Sequence, residues 1–202
     1  MPLETELKVR DVDLDAVRRS LHQAGGERQG RVFEANEVFD DAAGTLRAGG
    51  ILLRLRRESG VAGGLLTLKL PIAGKGGPAG LKVREERETR VQDPDVLAAV
   101  LEGLGYRVLL RYEKVRETWL LAGCHVCLDH LPFGDFVELE GDPDAIAAAL
   151  GRLGLAGLPA SDRNYHALFR EHLASRGLPP RDSFVFEETE RASLLAGLGF
   201  PS

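Results

Sequence analysis

The architecture of this chain is decided by the stretch Leu3-Glu4-Thr5-Glu6-Leu7-Lys8-Val9, which has the pattern of a β-strand. Because successive side chains of a strand point to opposite faces, Glu4, Glu6 and Lys8 line one face and the aliphatic residues line the other. Glu and Lys are unfavourable in strands, so a row of them needs an explanation. A solvated sheet edge is one interpretation, and a face that holds a divalent cation beside an anion is the other.

Composition and charge restrict the classes of function. The chain has 202 residues, 44% of them hydrophobic and 28% charged, as in an ordinary globular protein. Its formal net charge of −5 argues against a general nucleic-acid-binding protein but does not exclude a basic pocket for a small anion. No apolar run approaches the roughly 18 residues of a membrane span and no signal peptide precedes the first strand, so we expect a cytoplasmic protein that binds neither nucleic acid nor membrane. A homodimer is compatible with the sequence.

Hydrophobic periodicity predicts eight strands and four helices in the main part of the chain. They follow the order strand, helix, four strands, helix, three strands and two helices. Hairpin-linked strands with clustered helices indicate an antiparallel sheet and the α+β class. The predicted strands are 3–9, 32–40, 51–56, 65–71, 82–91, 107–121, 125–131 and 134–140, and the predicted helices are 13–21, 94–101, 143–153 and 163–175.

A proline- and glycine-rich segment divides the chain near its end. Gly177-Leu178-Pro179-Pro180 is typical of a linker. We therefore predict one domain over residues 1–176 and a C-terminal extension over residues 177–202. The extension is predicted to contain a short strand at 184–186 and a helix at 189–196.

Two features lie around the fifth predicted strand. The glycine-rich segment 73–80 lacks the pattern of a phosphate-binding P-loop, and we expect it to be a flexible hairpin connection. The strand that follows, 82–91, carries charges on both of its faces. This pattern predicts an exposed margin of the sheet.

Charged residues recur at every second position on most of the predicted strands. The opposite faces are apolar and can be covered by amphipathic helices, so the charged faces are expected to point at one another. A closed or nearly closed barrel with a polar interior satisfies both demands. Mutual ion pairing is the alternative explanation, although a buried ion pair rarely stabilises a fold better than apolar packing does. The basic members are Lys8, Arg54, Arg56, Lys69, Arg84, Lys114 and Arg116, and the acidic members are Glu4, Glu6, Glu86, Glu88, Asp129, Glu138 and Glu140.

An interior that carries both signs of charge suits the binding of a polyanion through a metal ion. Carboxylate oxygens coordinate Mg²⁺ or Mn²⁺, and Arg and Lys bind phosphate oxygens directly. A triphosphate group brings about four negative charges, which divalent ions and basic side chains can offset together.

The ordered charged motifs resemble those of the CYTH superfamily, the triphosphate tunnel metalloenzymes, named after class IV adenylate cyclases and thiamine triphosphatases. The resemblance covers roughly residues 2–170 and implies an eight-stranded antiparallel tunnel that binds a triphosphate-bearing substrate with Mg²⁺ or Mn²⁺. The matching motifs are Glu4-x-Glu6-x-Lys8, Leu53-Arg54-Leu55-Arg56, Leu68-Lys69, Arg84-x-Glu86-x-Glu88, Lys114-x-Arg116, Asp129 and Gly134-x-Phe136-Val137-Glu138-Leu139-Glu140.

The resemblance also implies roles for individual residues. Lys8 and Glu6 are the expected catalytic residues, and Glu86 and Glu88 remain without a definite role. The implied phosphate ligands are Lys8, Arg54, Arg56, Lys69, Arg84, Lys114 and Arg116. The implied metal ligands are Glu4, Glu6, Asp129, Glu138 and Glu140.

Two positions depart from the family pattern. Arg163-Asn164-Tyr165 stands where the family has Lys-Ser-Tyr, so the serine hydroxyl is missing. Glu34-Ala35-Asn36 stands where the family usually has Gln-x-Asp, and Val38-Phe39-Asp40 replaces Tyr-Phe-Asp.

Two reactions suit the same tunnel. A cyclase would direct the 3′-hydroxyl of ATP at the α-phosphorus and release pyrophosphate, whereas a triphosphatase would place water in line with the terminal phosphorus of ATP, thiamine triphosphate or inorganic triphosphate. The segments 111–119 and 66–71 look most like the adenylate cyclase branch and favour that assignment slightly. A non-catalytic module that binds polyphosphate or nucleotides is the third hypothesis, but it would not need the metal-binding carboxylates.

Overall fold

The computed structural model describes residues 3–72 and 81–200, so the predicted hairpin connection at 73–80 lies outside the described residues. The strands are β1 (Leu3–Arg10), β2 (Glu27–Asp40), β3 (Leu52–Glu58), β4 (Gly64–Pro71), β5 (Lys82–Val91), β6 (Arg107–Leu121), β7 (Cys124–Leu131), β8 (Gly134–Glu140) and β9 (Ala160–Ser161). The helices are α1 (Leu14–Gln23), α2 (Thr45–Ala48), α3 (Pro94–Gly103), α4 (Pro143–Leu153), α5 (Tyr165–Ser175) and α6 (Glu188–Gly197).

The strands form an antiparallel sheet that closes on itself. Their order is β5-β4-β3-β2-β6-β7-β8-β1, and β1 returns to pair with β5, while the two-residue strand β9 pairs with the rest of β1. This arrangement confirms the predicted α+β class and the closed eight-stranded antiparallel β-barrel. The expectation of an exposed margin at β5 is wrong for residues 82–85, which pair with β4 on one side and with β1 on the other, or with β1 alone. It is confirmed for the end of the strand, because residues 86–91 pair only with β4 within the described part of the chain and residues 87–90 are exposed. The outward charges of β5 pair locally, as Arg87 Nη2 lies 2.6 Å from a Glu85 carboxylate oxygen.

Helices α1 and α4 cover the outer face of the barrel. Val17 and Leu21 of α1 and Ile146 and Ala149 of α4 share one buried apolar cluster with Val9 of β1 and with residues of β7 and β8. Burial of one large aliphatic side chain contributes about 1.5–3 kcal/mol, so this layer fixes which parity of the strands faces outward. Consequently the alternate, charged side chains of the same strands face the barrel interior.

Helix starts follow ordinary capping chemistry. The carboxylate of Asp13 accepts hydrogen bonds from the first turn of α1, at a typical contribution of about 1 kcal/mol. The short helix α2 was not predicted, because its start depends on Asp40 at the end of β2. That buried carboxylate accepts hydrogen bonds of 2.9 Å from the backbone N–H groups of both Leu46 and Arg47. Among the helices of the described residues, none is long and apolar enough to cross a membrane.

The C-terminal extension packs against β6. The backbone N–H of Phe184 donates to Arg111 O (3.1 Å), and the N–H of Glu113 donates to Phe184 O (3.0 Å). The predicted helix of the extension is confirmed as α6, but the predicted strand is wrong. Within the described residues, the extension makes a single β-bridge, between Tyr112 and Phe184, because the next available N–H, that of Phe186, donates to the side chain of Glu113 at 3.0 Å.

Candidate active site

Strand β1 supplies one wall of the barrel interior. Glu6 and Lys8 are only 4% and 3% exposed, as expected for the inward face, whereas Leu3 is 60% exposed, because it precedes the part of the strand that the helices cover. The register places Glu6 between Lys82 of β5 and Glu140 of β8. Residues that are far apart in sequence therefore meet across three strands, with one ammonium and two adjacent carboxylates.

Three carboxylates converge beside this wall and form what we call the acidic cluster: Glu4, Glu6 and Glu140. Each offers one oxygen, and these oxygens lie within 4.8 Å of one another. Burial and the neighbouring carboxylate of Glu138 raise the pKa of Glu140 to about 8. Burial alone would also raise the pKa of Glu6, but Lys8 and Lys82 lower it to about 2. The cluster therefore holds negative charge that its protein neighbours offset only in part.

Asp129 has a different environment, which we call the Asp129 anchor. It is fully buried, and Arg116 grips it with two hydrogen bonds, Nε to Oδ1 at 2.8 Å and Nη2 to Oδ2 at 2.6 Å. Lys114 Nζ and the Tyr165 hydroxyl donate to Oδ2 at 3.0 and 2.7 Å. Burial opposes ionisation, yet Arg116 and Lys114 hold the pKa of Asp129 below its ordinary value. Both oxygens of this carboxylate are thus occupied by protein donors.

Glu138 and Lys8 form a second buried pair between the anchor and the acidic cluster. Lys8 Nζ lies 2.7 Å from Glu138 Oε2 and 2.8 Å from Glu6 Oε1. Burial disfavours the ammonium, but Glu138 and Glu6 outweigh it and raise the pKa of Lys8 well above its ordinary value. Lys8 is therefore a permanently charged group at neutral pH. Arg116 Nη2, 2.8 Å from Glu138 Oε1, links this pair to the anchor.

The remaining predicted basic residues come mainly from β3, β4 and β5. Arg54 donates to the hydroxyls of Tyr112 (3.0 Å) and Thr67 (3.1 Å), and Lys69 Nζ donates to Glu4. We call this set, together with a lysine that had not been assigned a role, the basic wall: Arg54, Arg56, Lys69, Lys82 and Arg84.

Glu86 and Glu88, the two acidic residues without a definite role, lie beside the basic wall. Glu86 lies 3.3 Å from Lys69 Nζ, and burial together with the neighbouring Glu4 and Glu88 raises its pKa to about 7 in spite of that lysine. Glu88 accepts a hydrogen bond of 2.7 Å from the Thr67 hydroxyl.

A cavity of about 310 Å³ joins these groups. Every site residue predicted from the sequence lines it except Asp129, which lies behind the lining in its anchor. The acidic cluster and the basic wall therefore face one shared space. The predicted set lining the cavity comprises Glu4, Glu6, Lys8, Arg54, Arg56, Lys69, Arg84, Glu86, Glu88, Lys114, Arg116, Glu138 and Glu140.

Some interior residues were not predicted to have a role. Glu34 is 1% exposed and lies 3.3 Å from Arg56 and 3.7 Å from Lys114, which lowers its pKa against the effect of burial. Tyr112 shares the parity of Lys114 on β6, and Lys82 shares the parity of Arg84 on β5. Strict extension of the period-two rule along β2, β5 and β6 would have found all three. Tyr165 was noted only as part of a motif, and its contact with Asp129 depends on how α5 docks.

In the metal-free protein, we expect the free energy of unfolding to fall by about 2 kcal/mol between pH 6.5 and 8. Glu140 has a folded-state pKa of about 8 against an ordinary value of 4.5, so in this interval the folded state binds more protons than the unfolded state. Glu86, at about 7, acts in the same direction. His166, whose pKa burial lowers to about 4, opposes this trend mainly below pH 6.5 and only weakly above it. Urea unfolding in EDTA at several pH values measures the slope, and a stability that rises with pH across this interval would contradict the assignment.

Comparisons with known proteins agree with this geometry. The sequence profile of the CYTH domain matches residues 2–151. Adenylate cyclase CyaB of Aeromonas hydrophila is 29% identical over 187 residues, which is 84% of this chain and 90% of that protein. A solved structure of a candidate adenylate cyclase from Vibrio parahaemolyticus has a TM-score of 0.70 and 26% identity and covers 85% of this chain and 98% of that chain.

A plant structure shares the fold at lower identity. HpAC1 of Hippeastrum, a candidate adenylyl cyclase with a dominant triphosphatase activity, has a TM-score of 0.63 and 22% identity and covers 85% of this chain and 96% of that chain. At this identity the likeness establishes the shared fold alone. Because the family profile spans the whole barrel from β1 to β8 and continues into α4, the chain belongs to the CYTH domain family.

Proposed function

We propose that this CYTH domain is a divalent-metal-dependent enzyme that acts on a triphosphate-bearing substrate inside the barrel, converting ATP to cyclic AMP and pyrophosphate. The observation that carries the proposal is that the acidic cluster and the basic wall line the same cavity. One face offers oxygen ligands to a metal ion, and the other offers cations to phosphate oxygens. The adenylate cyclase name of the Aeromonas relative, which is similar over most of both chains, supports the choice of reaction.

The acidic cluster fits the metal that the family implies. Carboxylate oxygens are the donors that Mg²⁺ and Mn²⁺ prefer, and the raised pKa of Glu140 reflects negative charge that a cation would offset. We assign the metal to Glu4, Glu6 and Glu140. When bound, the ion supplies Lewis acidity and neutralises charge at the phosphate oxygens of the substrate.

Asp129 and Glu138 were also predicted to be metal ligands, but their contacts support a different role. Asp129 is occupied by Arg116, Lys114 and Tyr165, and Glu138 is occupied by Lys8 and Arg116. We propose that these two carboxylates hold the cations in fixed orientations, so that no reorganisation is needed when phosphate arrives. A carboxylate that supports a phosphate ligand in this way is a positioning residue.

Lys8 acts in this proposal as a charge-stabilising group and not as a general base. Its raised pKa and its two carboxylate partners keep it as an ammonium, which cannot accept a proton. It is suited to bind a phosphate oxygen whose negative charge increases in the transition state. The basic wall, Lys114 and Arg116 supply the remaining phosphate contacts.

Hydrolysis of a triphosphate is the second candidate reaction, because the same groups can hold a terminal phosphorus for attack by water. The dominant triphosphatase activity of the Hippeastrum protein, which shares this fold, is the observation that favours it. The two reactions differ in the nucleophile and not in the phosphate-binding groups.

The product assay tests the proposal and separates the two reactions. The purified chain is incubated with Mg²⁺ or Mn²⁺ and with ATP, thiamine triphosphate or inorganic triphosphate, and cyclic AMP, pyrophosphate and phosphate are quantified. We expect cyclic AMP and pyrophosphate in equal amounts from ATP and no product in EDTA. Phosphate without cyclic AMP would favour the triphosphatase, and no turnover of any of the three substrates would refute the proposal. A Glu6→Gln variant purified in parallel gives the background of contaminating phosphatases.

A further inference from the structure

The barrel interior changes character at one end. On three neighbouring strands the inward residues pass from charged or polar to apolar in the same direction: Arg56 and Arg54 to Leu52 on β3, Glu34 and Asn36 to Val38 on β2, and Lys114 and Tyr112 to Leu110 on β6. Val38 and Leu110 pack against α5, and Leu52 and Leu109 pack against the same apolar cluster. Ile51, Leu52 and Leu109 remain only half-buried and line the cavity. One end of the cavity therefore has an apolar wall that a triphosphate group cannot use.

This apolar end adjoins the groups that are proposed to bind phosphate. Leu52 lies opposite Lys69 in the β3–β4 register and two residues from Arg54 on the same face of its strand. A triphosphate held by Arg54 and Lys69 would therefore direct its attached organic group towards Ile51, Leu52 and Leu109. Burial of an apolar ring against such a wall is favourable.

The C-terminal extension supplies a carboxylate at this end of the cavity. Asp182 lines the cavity, and Arg47 Nη2 donates to its Oδ2 at 3.0 Å. Its Oδ1 is 3.9 Å from Arg170 Nη1, which is beyond hydrogen-bond distance, so this oxygen can still accept a hydrogen bond from a ligand. The next residues are fixed, because the backbone N–H of Arg111 donates to Ser183 Oγ at 3.0 Å and Phe184 pairs with β6. The carboxylate is therefore held in place and is not on a loose tail.

His166 completes the polar side of this compartment. Burial lowers its pKa to about 4, so the ring is neutral at physiological pH, and it makes an edge contact with Tyr112 at 5.2 Å between ring centroids. Its buried Nδ1 finds no hydrogen-bond partner within the described part of the chain. Arg47 and Arg170 also line this end of the cavity, and Asp182 offsets part of their charge, at 3.0 and 3.9 Å. With those arginines partly neutralised, a neutral imidazole and a carboxylate beside an apolar wall match the hydroxyls and flat ring of a nucleoside.

We propose that this end of the cavity is a nucleoside subsite and that Asp182 of the C-terminal extension is a specificity-determining residue that accepts a hydrogen bond from a sugar hydroxyl. The inference rests on the proposed function of the tunnel and adds a residue, outside the eight strands, that recognises the sugar of its nucleotide substrate. Carboxylates are the usual acceptors for ribose hydroxyls in nucleotide-binding sites. The Asp182 side chain is 38% exposed, so an analogue without the hydroxyl is expected to lose only the net contribution of one hydrogen bond to a charged group, roughly tenfold in affinity.

Calorimetric binding tests the inference without turnover. The ligands are α,β-methylene-ATP, its 2′,3′-dideoxy form and bis-methylene triphosphate, each with Mg²⁺, and the proteins are the wild type, Asp182→Ala and Glu188→Ala. Glu188 is an exposed carboxylate of the same extension that does not line the cavity, so it is the matched control. We expect the dideoxy ligand to bind about tenfold more weakly than the parent ligand to the wild type and to the Glu188→Ala control. On Asp182→Ala, we expect the two ligands to have the same affinity.

Asp182→Ala also removes the carboxylate that offsets the charges of Arg47 and Arg170. Comparing two ligands on the same variant cancels this general electrostatic effect. Loss of the Asp182 charge changes the attraction of every triphosphate by a similar factor, whereas the ratio between the parent and dideoxy ligands reports the hydroxyl contact alone. An equal dideoxy penalty in wild type and Asp182→Ala, or no penalty in the wild type, would overturn the subsite while leaving the tunnel function intact. Failure of all three ligands to bind would overturn both proposals.

Discussion

Replacing Glu140 by glutamine is expected to lower metal-dependent turnover by about 10²–10³-fold while making the metal-free protein more stable. The loss is expected because glutamine removes the charge of one of the three proposed oxygen ligands in the acidic cluster. The gain arises because Glu140 has its pKa raised to about 8 by burial and by Glu138, so its ionised form is unfavourable in the folded state. At pH 8 we expect a gain of about 2–4 kcal/mol in the free energy of unfolding.

The combination of both effects separates a lost ligand from a damaged fold. Turnover at saturating Mg²⁺, Mn²⁺ binding by electron paramagnetic resonance and urea unfolding in EDTA are measured on the same preparations. Glu85→Gln is the matched control, since Glu85 lies on β5 with the opposite parity to Glu86 and pairs with Arg87 outside the barrel. Unchanged Mn²⁺ affinity in Glu140→Gln would remove this residue from the metal site.

Replacing Asp129 by asparagine is expected to lower the free energy of unfolding by about 3–5 kcal/mol. The carboxylate is fully buried and is the shared partner of Arg116, Lys114 and Tyr165. Asparagine keeps the shape but loses the charge, so two buried cations lose their main counter-charge. The penalty for leaving buried charges uncompensated is much larger than the net value of an exposed ion pair.

The Asp129 variant also tests which carboxylates bind the metal. If Asp129 is a positioning residue, Mg²⁺ should raise the Tm of Asp129→Asn by as much as it raises that of the wild type, because ligand binding to the folded state adds the same free energy. The same measurement on Glu140→Gln should show little increase. Asp162→Asn, at an exposed position, controls for the general effect of losing a charge. A destabilisation below about 1 kcal/mol would contradict the anchor, since exposed carboxylates commonly have effects of that size.

Much of the barrel could be predicted because its signal is local. The alternation of Glu4, Glu6 and Lys8 with aliphatic residues fixes the inward face of β1, and the same period on other strands predicts a closed sheet with a charged interior. The closure itself was harder to predict, because charges on both faces of β5 resemble those of a free edge. Pairing of β1 with both β5 and β8 resolves that ambiguity, and it is a long-range contact that no local pattern reports.

The sequence was sufficient to predict which residues lie in the site. It was not sufficient to predict which charged groups surround each of them. Glu140 and Asp129 both follow the charged parity of their strands, yet one lies among carboxylates and the other is enclosed by Arg116 and Lys114. Their different surroundings depend on strand register and on the docking of Tyr165 from α5. Asp182 could not be predicted as a cavity residue, because the extension reaches the cavity only through its backbone contacts with β6.

The position of β1 has a consequence for how the chain acquires its structure. Strand β1 pairs with residues 82–85 of β5 and with residues 136–140 of β8, so its partners are synthesised long after it. Until β8 has emerged, the amphipathic β1 has an unpaired edge and an uncovered apolar face. High contact order of this kind slows folding and lengthens the exposure of nascent strands to aggregation and to chaperones. Barrel closure is therefore a late event, and the charged interior forms only when β8 pairs with β1.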